Sequence, residues 1–199
     1  MYDGRVSPGG HLVTTLAACG ASLLLTRDLP LAQSLTLAGG IAAGGFLIDV
    51  DHAVDYVLFE RQRDLRPAAF LRYYLERRVK RTVLVLHSYE LFALLGILAW
   101  WLDALALWGY LMGALLHLAL DITYNGELTP RSISAFYCFG YRLAHRFDAV
   151  ALCGPRDERC TVSEQFWNAF FAGAAPAAGA GSPKRTEARL APERTGPIA

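Results

Sequence analysis

The strongest constraint on this chain is a run of four apolar segments, Leu12–Thr26, Leu29–Ile48, Val83–Leu102 and Ala104–Leu120. A membrane-crossing helix needs ~20 mostly apolar residues. The first and last segments fall short of that, and the third carries His87 and Glu90. Each is a marginal span alone, but their succession makes a pattern. It predicts an all-α fold: a four-helix membrane-embedded or membrane-associated bundle. A soluble bundle of unusually apolar helices is the alternative. Gly39, Gly40, Gly44 and Gly45 in the second segment suit close helix packing in a bilayer. With 54% hydrophobic and 19% charged residues, the chain is not disordered as a whole.

Charge adds topology. Nineteen Lys and Arg nearly cancel eighteen Asp and Glu, and a formal charge of +1 gives no general reason to bind nucleic acid. Eight of the nineteen basic residues nevertheless lie between Arg61 and Arg81. Residues 53–82 therefore read as a basic connector, an amphipathic helix with Phe70, Tyr73 and Tyr74 interleaved among Arg66, Arg72, Arg77, Arg78 and Lys80, lying on an anionic membrane surface. The positive-inside rule places this connector in the cytoplasm, and alternation of the segments then places both termini there too. Residues 136–147 mix aromatic and basic side chains and predict an interfacial helix, and Glu164–Ala172 predicts a further short one. Residues 1–172 are thus expected to form the helical domain, and 173–199 a flexible Ala/Gly/Pro-rich tail. Cys19, Cys138, Cys153 and Cys160 form no Cys-x-x-Cys pair, which excludes a thiolate zinc finger.

The histidines carry the chemistry. Asp49-Val50-Asp51-His52 closes the second segment, and Asp49 and His52 share a helix face at a spacing of three. His117 and Asp121 close the fourth segment at a spacing of four, again on one face. His87 lies near the start of the third segment and His11 just before the first. If the segments alternate up and down, these four groups meet at one end of the bundle. Imidazole nitrogens and carboxylate oxygens brought together in this way make a metal site. His11, Asp49, Asp51, His52, His87, His117 and Asp121 are the candidate ligands. Zinc suits the histidines and manganese the carboxylates. Asp51 is also a candidate bridge between ions or a general base. Ser88, Glu90, Thr123, Asn125 and Arg81 are candidates for an outer layer or for substrate contact. Arg77, Arg78, Lys80 and Arg81 are placed to attract an anionic head group. His145, set among arginines, reads as structural.

The order of these motifs resembles the bacterial inner-membrane-associated metal-dependent hydrolases (the YdjM-like family), itself distantly similar to zinc-dependent phospholipase C and P1 nuclease. The resemblance covers roughly residues 9–130. His11 matches that family's early histidine. Asp49, Asp51 and His52 match its Pro-Asp-x-Asp-His motif, with Ile48 in place of the proline. His87 and Ser88 match the end of its His-Arg-Gly-x-Thr-His-Ser motif. His117, Asp121, Thr123 and Gly126 match its His-x-x-x-Asp-x-x-Thr-type motif with the Thr shifted, and Pro130 falls near a later proline. Thr82–Leu86 lacks the His-Arg-Gly-x-Thr half, so one histidine of the pattern is missing. The resemblance implies a multi-pass protein of the bacterial inner (cytoplasmic) membrane that uses a divalent metal, zinc first and manganese second, to hydrolyse a phosphoester at the cytoplasmic face. The membrane lipid surface and a phosphorylated lipid or other phosphoester would be its partners. A non-enzymatic metal-binding membrane protein, for ion handling or as a scaffold, is the alternative. A transport site belongs near mid-membrane on broken helices, whereas these ligands gather toward one end.

Overall fold

The computed structural model describes residues 8–76, 78–124 and 132–154. These lie in one of two compact units of the chain, Asp3–Asp157; the other unit falls outside the described residues. Helices are the only regular elements among the described residues, which show no strand and a single isolated bridge between Arg81 and Asp148. The long helices are α1 (Pro8–Leu25), α2 (Leu31–Leu47), α5 (Tyr89–Trp101) and α6 (Leu105–Tyr124). Between α2 and α5 run α3 (Val50–Val54), which continues into a π turn over Asp55–Phe59, and α4 (Pro67–Leu75). After α6 come α7 (Ile133–Phe136), α8 (Phe139–Ala144) and α9 (Ala149–Cys153).

The central contact is α2 against α6; α1 packs on both, and α5 packs on α6. Small residues at a spacing of four make this seam. A Cβ on Gly44 would overlap Tyr110 O and lie 2.7 Å from Ala114 N, and one on Gly113 would overlap Ile41 O and lie 2.8 Å from Gly45 N. One on Gly40 would lie 2.9 Å from the Cα of Gly109. The two backbones touch, and only hydrogen fits between them. On α6 the same stripe runs on through His117 to Asp121, so the face that sets the helix separation also carries two candidate ligands. A core of Ile48, Leu84, Phe92, Leu111, Ala114, Leu118, Phe136, Tyr137 and Leu152 supports that end of the seam.

Two stretches, Leu31–Phe59 with 29 residues and Leu105–Thr123 with 19, are long and apolar enough to cross a membrane. The apolar parts of α1 and α5, Gly10–Leu25 and Tyr89–Trp101, are shorter.

Three sequence expectations are corrected. The third apolar segment is not one helix from Val83: α5 starts at Tyr89, capped by the Ser88 side chain, which accepts from Leu91 N. Residues 82–88 run as an irregular strap with Leu84 at φ 46°. An apolar run alone does not distinguish a helix from an extended buried stretch. Here the backbone groups that a helix would have paired are taken by the side chains of Asp51, Asp55 and Arg142. Secondly, the connector 53–82 is helical only in the π turn and α4; Pro67 sets the first turn of α4, and Arg77 lies outside the described residues. Thirdly, residues 136–147 are not one interfacial helix, because Phe136, Tyr137 and Arg142 are buried in the core. Residues 155–199, with the expected helix Glu164–Ala172 and the tail, lie outside the described residues.

The seam gives a sharp contrast between glycines. Gly44→Ala or Gly113→Ala should lower stability by about 1–3 kcal/mol through overpacking, read as a fall in unfolding temperature in detergent. Gly39→Ala, where an added Cβ meets nothing within 4 Å, should leave that temperature unchanged or raise it.

Candidate metal centre

Four short stretches converge at the site end of the seam. His11 comes from the first turns of α1, Asp49, Asp51 and His52 from the junction of α2 and α3, His87 from the strap, and His117 and Asp121 from α6. His11 and His117 stack, with ring centroids 4.2 Å apart. His87 lies edge-on to both His52, at 5.1 Å, and His117, at 5.5 Å. The carboxylates lie between these rings. Asp49 Oδ1 is 3.3 Å from His117 Nε2, 3.6 Å from His87 Nε2 and 3.9 Å from His52 Nε2. Asp121 is 3.5 Å from His11 Nε2, 3.6 Å from His117 Nε2 and 3.7 Å from His87 Nε2.

Two sets of three ligands emerge. The donor atoms of His11, His117 and Asp121 lie within 4.8 Å of one another, and so do those of Asp49, His52 and His87. These buried His and Asp groups can bind a metal ion.

Hydrogen bonds fix which nitrogens face the centre. His117 Nδ1 is 2.9 Å from Gly45 O, a carbonyl that can only accept, so Nδ1 carries a proton and Nε2 turns toward the carboxylates. His87 Nδ1 lies 3.0 Å from each oxygen of Asp51, which likewise leaves Nε2 facing inward. His87 Nε2, His11 Nδ1 and His52 Nδ1 are buried and have no hydrogen-bond partner. A buried polar nitrogen without a partner costs about 1–3 kcal/mol. His87 Nε2 is also the nitrogen that lies 3.6 Å from Asp49 and 3.7 Å from Asp121, so an electron-pair acceptor among these groups would relieve it. The chemistry of the donor set therefore fits a divalent ion.

No family model, curated protein or solved structure matches this chain.

The other expected residues divide clearly. Asp51 does not face the middle of the cluster. Its Oδ2 accepts from Leu86 N at 2.9 Å and His87 N at 3.2 Å, so both oxygens are committed to the strap and the ring it carries. Ser88 caps α5 and donates to Val85 O. Glu90 points away: its oxygens accept from Phe139 N, Gly140 N and the Cys138 thiol, which ties α5 to α8. Thr123 is exposed and donates back to Ala119 O within its own helix. The exposed Arg81 donates its backbone N–H to Glu60, which is not one of the ligands. Asn125, Gly126 and Pro130 lie outside the described residues. His145 bonds Tyr141 O in its own helix, in a structural role.

Sequence reasoning missed Arg142, which is 0% exposed. Its guanidinium donates to Val83 O, Leu84 O, His87 O and Phe136 O. Asp55, also buried, accepts from Val83 N and Leu84 N on the other side. The strap that presents His87 is thus held through both its carbonyls and its amides. Burial lowers the pKa of Arg142, with Asp51, Glu90 and Asp55 opposing, and the group keeps its charge near neutral pH. No spacing rule marks such a residue, because its partners are backbone carbonyls far away in sequence. Tyr137 completes the enclosure, its ring stacked on His87 at 6.4 Å.

Arg142→Met should strand four buried carbonyls and cost on the order of 3 kcal/mol or more, measured by thermal unfolding. Arg142→Lys, which keeps the charge but not the fork of donors, should recover only part of that loss.

Proposed function

We propose that this chain is a membrane-embedded, metal-dependent hydrolase acting on a phosphoester at the cytoplasmic face of the bacterial inner membrane. The observation that carries this reading is the nest of four histidines and two carboxylates with three orphaned ring nitrogens. Embedding is supported by the two long apolar stretches and by apolar side chains left exposed on the helix surfaces, among them Val13, Leu24, Leu94, Ile97 and Met112. Trp100 and Trp101 stand exposed at the end of α5 remote from the ligands, where an aromatic belt belongs. The reaction class comes from the motif resemblance given above.

In this reading His11, His117 and Asp121 would hold one ion, and Asp49, His52 and His87 would hold a second. Zinc is the first choice for so many imidazoles, with manganese the rival that the carboxylates allow. A bound divalent ion would supply Lewis acidity toward a phosphoryl oxygen and toward water. The protein's own part is to orient the ligands. Gly45 O and Asp51 set the tautomers of His117 and His87, and the clamped strap sets the position of His87. Asp51 is therefore a positioning residue and not the general base. Asp49 is the open side of the centre, its side chain 55% exposed while His87 and His117 keep 1% and 2%. A substrate would approach there.

Metal analysis of the full chain purified in detergent should find about two ions per molecule. His11→Ala and His52→Ala should each lose one, and His117→Ala should lose the first ion and weaken the second. Asp51→Asn should keep the fold but lower metal affinity by about 10–100-fold. A wild type that stays metal-free after supplementation with zinc and manganese sinks the proposal. A metal-loaded protein that turns over no member of a phosphoester panel leaves the non-enzymatic metal-binding reading standing. Release from membranes by alkaline carbonate would defeat the embedding.

A further inference from the structure

The basic connector has a shaped feature apart from the metal ligands. The end of the π turn and the residues just before the strap face each other across a cleft of about 390 Å³, lined by Phe59, Glu60, Arg61, Gln62, Lys80 and Arg81. We propose that this cleft binds the phosphate of an acidic phospholipid head group, at a site separate from the metal centre.

A carboxylate in an anion site first looks like an objection. Glu60, however, is already satisfied. Its Oε1 accepts from Lys80 N and Arg81 N, and its Oε2 from the Tyr73 hydroxyl. Burial, and next the bond to Glu60, raise the pKa of Tyr73, so the phenol keeps its proton and remains the donor. Glu60 is the tie that holds the two walls together. The far wall is pinned again: Lys80 O accepts from Ala149 N, and Thr82 N donates to Phe147 O. The near wall turns at Arg61, whose φ of 53° lies in the left-handed region.

The cations around this frame are unspent. Arg61, Lys80 and Arg81 are exposed, and among the described residues none of them makes an ion pair. Three positive side chains against one carboxylate leave the cleft at a formal +2. That charge suits a phosphate.

The neighbouring surface argues for a lipid as the source of that phosphate. Val50, Val54, Val57 and Leu58 are exposed on one face of α3 and the π turn, and Phe59, also exposed, stands at the cleft. Asp51 and Asp55 occupy the opposite, buried face. An apolar ridge that ends in a cationic cleft matches an amphiphile, with chains along the ridge and phosphate at its end. This step rests on the membrane reading above.

The test uses the full chain in phosphatidylcholine nanodiscs into which phosphatidylglycerol is titrated, with binding read by native mass spectrometry. Arg61→Gln should weaken phosphatidylglycerol about fivefold, and Arg61→Gln/Lys80→Gln/Arg81→Gln about a hundredfold, at roughly fivefold per cation. Arg63→Gln, an exposed cation that does not line the cleft, should change affinity less than twofold. His117→Ala should keep the lipid while losing metal, which separates this site from the metal centre. Equal losses at Arg61 and Arg63, or no loss in the triple variant, would overturn the proposal. Inorganic phosphate that competes at equal concentration would transfer the site to a free anion and overturn the lipid assignment. A chain that fails to enter discs defeats the membrane reading instead. Titration with monomeric short-chain phosphatidylglycerol would then still read the cleft, with the same variants and the same expected order.

Discussion

Everything at the ligand end depends on how closely α2 and α6 approach. Gly40, Gly44, Gly109 and Gly113 bring the backbones into contact, and no side chain stands between them to act as a spacer. The distance between Asp49 on one strand of the seam and His117 and Asp121 on the other is then set by main-chain contact. His117 Nδ1 reaches Gly45 O across this seam, while the Cα of that glycine packs against Thr15 of α1. Packing and chemistry share a single stripe of residues.

The second constraint is the strap. A helix satisfies its own backbone; the strap of residues 82–88 does not, and three side chains make up the difference. Arg142 takes carbonyls, while Asp55 and Asp51 take amides. This arrangement puts ionisable groups deep in an apolar protein, which is tolerable because each is hydrogen-bonded to the strap's backbone. It also makes His87 the most indirectly placed of the ligands. Its ring depends on Asp51, and its backbone depends on Arg142 from a distant helix.

Much of the cluster could be read from sequence, because helical spacing is a local property. His117 with Asp121, and Asp49 with His52, were visible as pairs, and up-and-down alternation was enough to send both pairs and two further histidines to one end. The all-α class followed from the same apolar periodicity. What could not be read were the roles that depend on a partner far along the chain. Asp51 looked like a ligand since it sits between two, yet its carboxylate turns to a ring 36 positions later. Glu90, three residues after His87, is an outer-layer candidate by spacing, yet it serves amides about fifty positions on. Arg142 carried no local signal at all. The helical expectation for Val83–Leu86 failed for a related reason: apolar character reports burial, and burial was correct there, while the backbone conformation was decided by side chains from elsewhere.

The scatter of the ligands along the chain has a mechanical meaning. His11, Asp49, His87 and His117 come from four separate elements, so no fragment of the fold can assemble the nest on its own. An ion gripped by them would act as a cross-link, joining the start of the described chain to its middle and to α6 at one point. Binding energy gained there would be folding energy for the whole arrangement. The centre would thus serve as a checkpoint on assembly: a molecule able to hold its metal is one in which every long helix but α5 has already found its place, with the strap locked behind it.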